Sequence, residues 1–156
     1  DVCSSDLFME GLCDAQGVKL SDCFANSFCL SADVSNAFDP NWPETCDKRN
    51  NSQLNYGVAI CKYTGSRGKG GASDASAEAM GHVRSTLDKA GVIWQIATLG
   101  KVDQGGGGTV AAYMANRNIV TVDAGVPVLS MHAPLELVSK LDCYETMLAC
   151  KAIYLA

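Results

Sequence analysis

Apolar residues gather along this chain in short runs that alternate with segments of helical spacing. Phe28 to Val34 (FCLSADV) has the length of a buried strand. Residues 57–63 (GVAICKY) form a second run rich in β-formers, and 92–98 (VIWQIAT) a third. Residues 120–130 hold one or two further strands, broken near Gly125 and Pro127. Between the second and third runs, Ala75, Ala79, Val83 and Leu87 recur at helical spacing. They predict a helix capped by Ser73 or Asp74 and stopped by Gly91. Thr109 opens a second helix with Val110, Tyr113 and Met114 on one face, and a last helix covers roughly residues 141–155. Pro40, Pro43 and a cluster of asparagines read as a long loop reaching about Asn55. The repeated strand–loop–helix order predicts the α/β class, a layered α/β/α sandwich around a mixed sheet.

Composition narrows the function classes. At 156 residues and 47% apolar, the chain has the make-up of one globular domain. A formal charge of −5 argues against nucleic-acid or anionic-membrane partners, which want a basic patch. The densest basic group, Lys62, Arg67 and Lys69, is too small for a phosphate track. No apolar run approaches the roughly 20 residues that span a bilayer. Eight cysteines occur without a CxxC pair, which predicts reduced thiols and a cytoplasmic setting rather than a zinc knuckle or disulfide staples. Asp1 to Leu7 (DVCSSDL) matches one reading frame of a common sequencing adapter. The expectation is therefore an artefact over residues 1–7 and a genuine domain over 8–156.

Few residues could carry chemistry. His132 follows the apolar run Val126 to Met131 and precedes Ala133-Pro134, so a strand end holds its ring. It reads either as a metal ligand or as a satisfied, half-buried histidine. Asp33 is the odd residue of an apolar strand, where a carboxylate is costly unless paired, hydrogen-bonded or bound to metal. It reads equally as a turn cap. His82 lies on the helix and reads as solvated or packing. Gly105 to Gly108, ahead of Thr109, exposes backbone N–H groups that can take phosphate, carboxylate or a peptide carbonyl, unless the turn is merely flexible. It lacks the Lys-Ser/Thr of a P-loop. Lys69 and Arg67 sit on a glycine-rich loop that could reach over a site.

Four segments taken together resemble one family. They are SADV (31–34) with FDPN (38–41), YTGSRGK (63–69) with SDA (73–75), GKVDQGGGGT (100–109), and DAGV (123–126) with LSMH (129–132). In order and spacing they are similar to the aspartyl aminopeptidase and aminopeptidase I family of two-zinc metallopeptidases, over nearly all of residues 8–156. The resemblance implies the C-terminal portion of a catalytic domain that removes N-terminal residues from peptides, in a protein that assembles as a homo-oligomer, often a dodecamer. It implies that Asp33 and His132 are zinc ligands, and that a second histidine ligand, a bridging aspartate and the catalytic glutamates lie upstream. Lys69, Gly106 and Gly107 become candidates for holding peptide substrate. Members that prefer acidic N-terminal residues carry histidines near Asn36 and Asp39; their absence here implies a neutral or apolar preference. With two ligands and no general base, these residues alone should be inactive. A different class stays open as the alternative: a small phosphate- or nucleotide-binding module built on Gly105 to Gly108.

Overall fold

A computed structural model describes residues 2–65, 67, 70, 73–101 and 103–156. Two helices, α1 (Val2–Gln16) and α2 (Leu20–Ala25), lead into β1 (Phe28–Ser31). There follow β2 (Ser35–Asn36), a single 3-10 turn (Pro43–Thr45), β3 (Val58–Cys61), α3 (Ala77–Ala90) and β4 (Trp94–Ala97). The chain closes with α4 (Ala111–Ala115), β5 (Val120–Gly125), β6 (Pro127–Leu129), β7 (Leu137–Val138) and α5 (Lys140–Tyr154).

The main sheet has the order β1-β5-β3-β4, and a small second sheet runs β2-β6-β7. β1 pairs parallel to β5, β5 antiparallel to β3, and β3 parallel to β4, so the sheet is mixed as its sequence pattern predicts. Side chains alternate between the two faces of each strand. Val58, Ile60, Val122 and Ala124 therefore share one face, and Val83 and Leu87 of α3 with Ala149 of α5 cover it. Burying each of the larger side chains there contributes about 1.5–3 kcal/mol. The opposite face carries a row of small or polar residues, Ser31, Asp123, Cys61 and Ala97, set in register across all four strands. α4 lies against β5 and β1.

The two sheets are joined where the chain passes twice, side by side, from one to the other. β1 pairs with β5 and then β2 with β6, so residues 32–34 cross beside Gly125 and Val126. The Ser35 N–H donates to the Val126 carbonyl at 2.9 Å. A Cβ on Gly125 would lie 1.5 Å from the Asp33 carbonyl oxygen, so only glycine allows this crossing.

Helix α3 ends on Gly91 as expected, in the left-handed conformation at φ 69°. Its cap is Ser76, whose hydroxyl accepts from the Ala79 N–H at 3.1 Å, rather than Ser73 or Asp74. Those earlier residues are committed to pairing with the chain after β3: the Ala75 N–H bonds the Lys62 carbonyl at 2.7 Å. On α4, Ala111 is the buried position, whereas Val110 and Tyr113 are exposed, so the expected apolar face is not the one that packs. His82 stacks edge-on against Phe28 with centroids 5.5 Å apart, the packing role read from its position.

α5 anchors the start of β3. Asp142, fully buried, accepts from the Asn55 N–H at 2.8 Å and the Gly57 N–H at 2.9 Å. Asp142→Ala leaves the buried Gly57 N–H unpaired at about 1–3 kcal/mol, whereas the exposed Asn55 N–H can turn to water. A loss of about 1–3 kcal/mol in urea unfolding is expected; a loss below about 0.5 kcal/mol would contradict this anchoring role.

Candidate metal centre

Asp33 lies two residues past the end of β1, because the strand stops at Ser31 where the chain turns toward the second sheet. It is half-buried, and its Oδ1 accepts from the Val34 N–H at 2.9 Å. Among the described residues the other oxygen has no protein donor. His132 lies beyond β6, in the loop that links β6 to β7, and not directly at a strand end. The left-handed conformations of Ser130 (φ 59°) and His132 (φ 69°) hold this loop. The Ala133 N–H bonds the Ser130 carbonyl at 2.9 Å, and the His132 N–H donates to Glu136 Oε1 at 2.6 Å. Non-glycine residues at positive φ carry a conformational cost and gather where a side chain must be aimed. The His132 ring is exposed.

Far apart in sequence, Asp33 and His132 line a single open cleft of about 310 Å³. That is at the low end for small-molecule sites, about 300–1,000 Å³. Gly105 to Thr109 and Asn36 form other parts of its wall. Gly106 adopts φ 92°, and a Cβ there would lie 2.2 Å from the Gly65 carbonyl oxygen. A Cβ on Gly105 would meet the Lys101 backbone nitrogen at 2.9 Å. Gly105 and Gly106 thus let two backbones touch at the cleft's edge. Of the substrate-binding candidates, Gly106 and Gly107 are on the wall, whereas Lys69 lies outside the described residues.

Below the cleft floor is Asp123, which the sequence pattern alone does not single out for this site. It is 5% exposed, and the Thr109 hydroxyl donates to both its oxygens at 2.9 and 3.0 Å. The Thr64 hydroxyl reaches Oδ2 at 3.3 Å. Burial raises its carboxyl above the ordinary value; the hydroxyls of Ser31, Thr109 and Thr64 pull it back, and the negative charge of Asp33 pushes it up again. The Ser31 hydroxyl faces it from the next strand without a hydrogen bond of normal geometry. Cys61, in the same row, is an inert thiol, because burial pushes it up to about 11.

Comparison with known proteins identifies the family. The model of the family described as aminopeptidase I zinc metalloprotease (M18) matches residues 9–154. The chain belongs to this M18 family. It is 52% identical over 133 residues to the Probable M18 family aminopeptidase 1 of Clostridium acetobutylicum, covering 85% of this chain and 29% of that protein. It is 46% identical over 147 residues to the Thermotoga maritima protein of the same name, covering 94% and 32%. The crystal structure of aminopeptidase I from C. acetobutylicum superposes with a TM-score of 0.86 at 47% identity, over 95% of this chain and 33% of that one. The M18 aminopeptidase structure from T. maritima gives 0.87 at 43% identity, over 94% and 34%. The chain therefore spans about a third of the length of the M18 relatives it matches.

For an M18 zinc protein the donor types in the cleft are apt, since zinc takes carboxylate oxygen and imidazole nitrogen. A catalytic zinc site needs three protein ligands, and among the described residues no group of three His, Cys, Asp or Glu side chains is placed to hold an ion. Asp33 and His132 fit zinc as part of a donor set and not as a closed site.

Proposed function

We propose that this chain is the C-terminal portion of the catalytic domain of a zinc aminopeptidase that removes N-terminal residues from peptides. The observation that carries the proposal is the shared cleft, in which Asp33, His132 and the glycine turn converge. Asp33 and His132 would hold metal, and ligands from elsewhere in the protein would complete a two-ion set. When bound, zinc would supply an activated water and a Lewis acid for the scissile carbonyl.

The chain's own residues have separable tasks. Gly106 and Gly107 line the cleft, and their N–H groups would serve as donors to a peptide carbonyl or the oxyanion formed from it. Lys69 would add a cation that holds substrate; Lys69→Ala should alter KM or kcat. Asn36, neutral, shares the cleft wall with Asp33. The absence of a histidine at Asn36 and Asp39 supports a neutral or apolar N-terminal preference. The Asp33 carboxylate, on the same cleft wall as Gly105 to Gly108, disfavours the phosphate-binding alternative, which has no metal to offset it. The general base is expected outside this chain, so these residues alone should hydrolyse nothing.

Two features of the whole protein belong to the same reading. A more distant likeness, the S. cerevesiae mApe1 dodecamer at 24% identity and TM-score 0.68, supports homo-oligomeric assembly. No helix among the described residues is long and apolar enough to cross a membrane; the cytoplasmic setting rests on the cysteine pattern of the sequence.

The test is an assay of the longer protein on peptides beginning with leucine or aspartate. Hydrolysis of the leucine peptide should exceed that of the aspartate peptide, stop on chelation and return with zinc. Activity that is indifferent to chelator would refute the proposal.

A further inference from the structure

Asp123 is buried beneath the cleft and has no place among the proposed metal ligands. Its two oxygens gather hydroxyls from two segments that are distant in sequence. Thr109 closes the glycine turn and binds both oxygens, while its own oxygen accepts the Ala111 N–H at 3.3 Å. One hydroxyl thereby fixes the end of the turn and the start of α4 to β5. Thr64, ahead of the glycine-rich loop, binds Oδ2 and stands 3.4 Å from the Thr109 hydroxyl. The same two segments also meet through backbone. The Arg67 N–H donates to the Gly105 carbonyl at 3.1 Å, and Gly106 packs on the Gly65 carbonyl.

A buried carboxylate is costly to keep, and a space-filling role would be met by an apolar side chain. What a carboxylate adds is acceptor capacity. It takes several donors at once, in charge-assisted bonds about twice as strong as neutral ones. The bonds of Asp123 run to hydroxyls that border Gly105 to Gly108, the backbone forming one wall of the cleft.

We propose that Asp123 is a positioning residue, which acts through Thr109 and Thr64 to hold the Gly106–Gly107 backbone in register with the cleft. Its kinetic consequence rests on the aminopeptidase reading; its structural consequence does not. In the longer protein, Asp123→Asn is expected to speed amide hydrogen exchange over residues 105–111 by about tenfold or more, with β3 (Val58–Cys61) unchanged. At unchanged zinc content, kcat/KM on a leucine peptide should fall about 10–100-fold. Thr109→Val should reproduce both effects, while Thr109→Ser, which keeps the hydroxyl, should stay within about threefold of the parent.

Unchanged exchange at 105–111, or a uniform rise that includes β3, would overturn the proposal. So would equal behaviour of Thr109→Ser and Thr109→Val, which decides the matter even if Asp123→Asn does not fold. If the parent protein cleaves no peptide, the aminopeptidase reading falls and exchange alone decides the role of Asp123.

Discussion

Replacing Gly125 by alanine is expected to lower kcat/KM of the proposed aminopeptidase by about 100-fold, although Gly125 has no functional group to lose. An added Cβ would lie 1.5 Å from the Asp33 carbonyl oxygen and 2.5 Å from its carbonyl carbon. Real contacts of that kind exceed 3 Å, so the crossing segment 32–34 has to move by more than an ångström. Both partners are backbone, and the Ser35 bond to Val126 fixes the crossing on its far side, so no side chain can yield instead. A displacement of about 1 Å in a reacting group costs on the order of 100-fold in rate. Overpacking should also remove about 1–3 kcal/mol of stability. Steady-state kinetics beside urea unfolding checks both effects. Activity within threefold of the parent would mean that Asp33 does not need its present position.

The second large effect concerns the two proposed ligands. Asp33→Ala and His132→Ala should each weaken zinc binding by more than about 100-fold, since residues that merely support a ligand already cost 10–100-fold. Peptide hydrolysis should fall in parallel. Asp33→Asn is the sharper variant, because it keeps the shape of the side chain and an acceptor oxygen while removing the charge. Metal analysis after dialysis, alongside peptide cleavage, reads the result; full zinc occupancy in both alanine variants would remove these residues from the ligand set.

The legible parts of this fold were those fixed by local pattern. The apolar runs gave β1, β3, β4 and the β5–β6 pair, and Gly91 gave the end of α3. The start of α3 was ambiguous because Ser73, Asp74 and Ser76 are all competent caps. The choice is made by pairing of residues 73–75 with the chain after β3, a contact that no local window contains. The first two helices are not legible from local pattern, and the opening residues of α1 also resemble an adapter-encoded stretch. Leu7, Phe8 and Leu12 of α1 are also exposed, so no buried apolar stripe marks the helix.

The site divides in the same way. Asp33 and His132 stand out as polar residues beside apolar runs, which is a local signal. Their convergence depends on the paired crossings of residues 32–34 and 125–127 between the two sheets. Asp123 offered a similar signal within VTVDAG, but its partners Thr64 and Thr109 are distant in sequence and each is unremarkable alone. Gly125 carries no chemistry, and its importance is spatial.

The most direct measurement is a crystal structure of the longer protein with anomalous diffraction recorded at the zinc edge. Zinc peaks in the cleft, bonded to an Asp33 oxygen and a His132 nitrogen at about 2.0–2.2 Å, are the predicted result. Zinc bound elsewhere, with neither side chain in contact, would contradict the account.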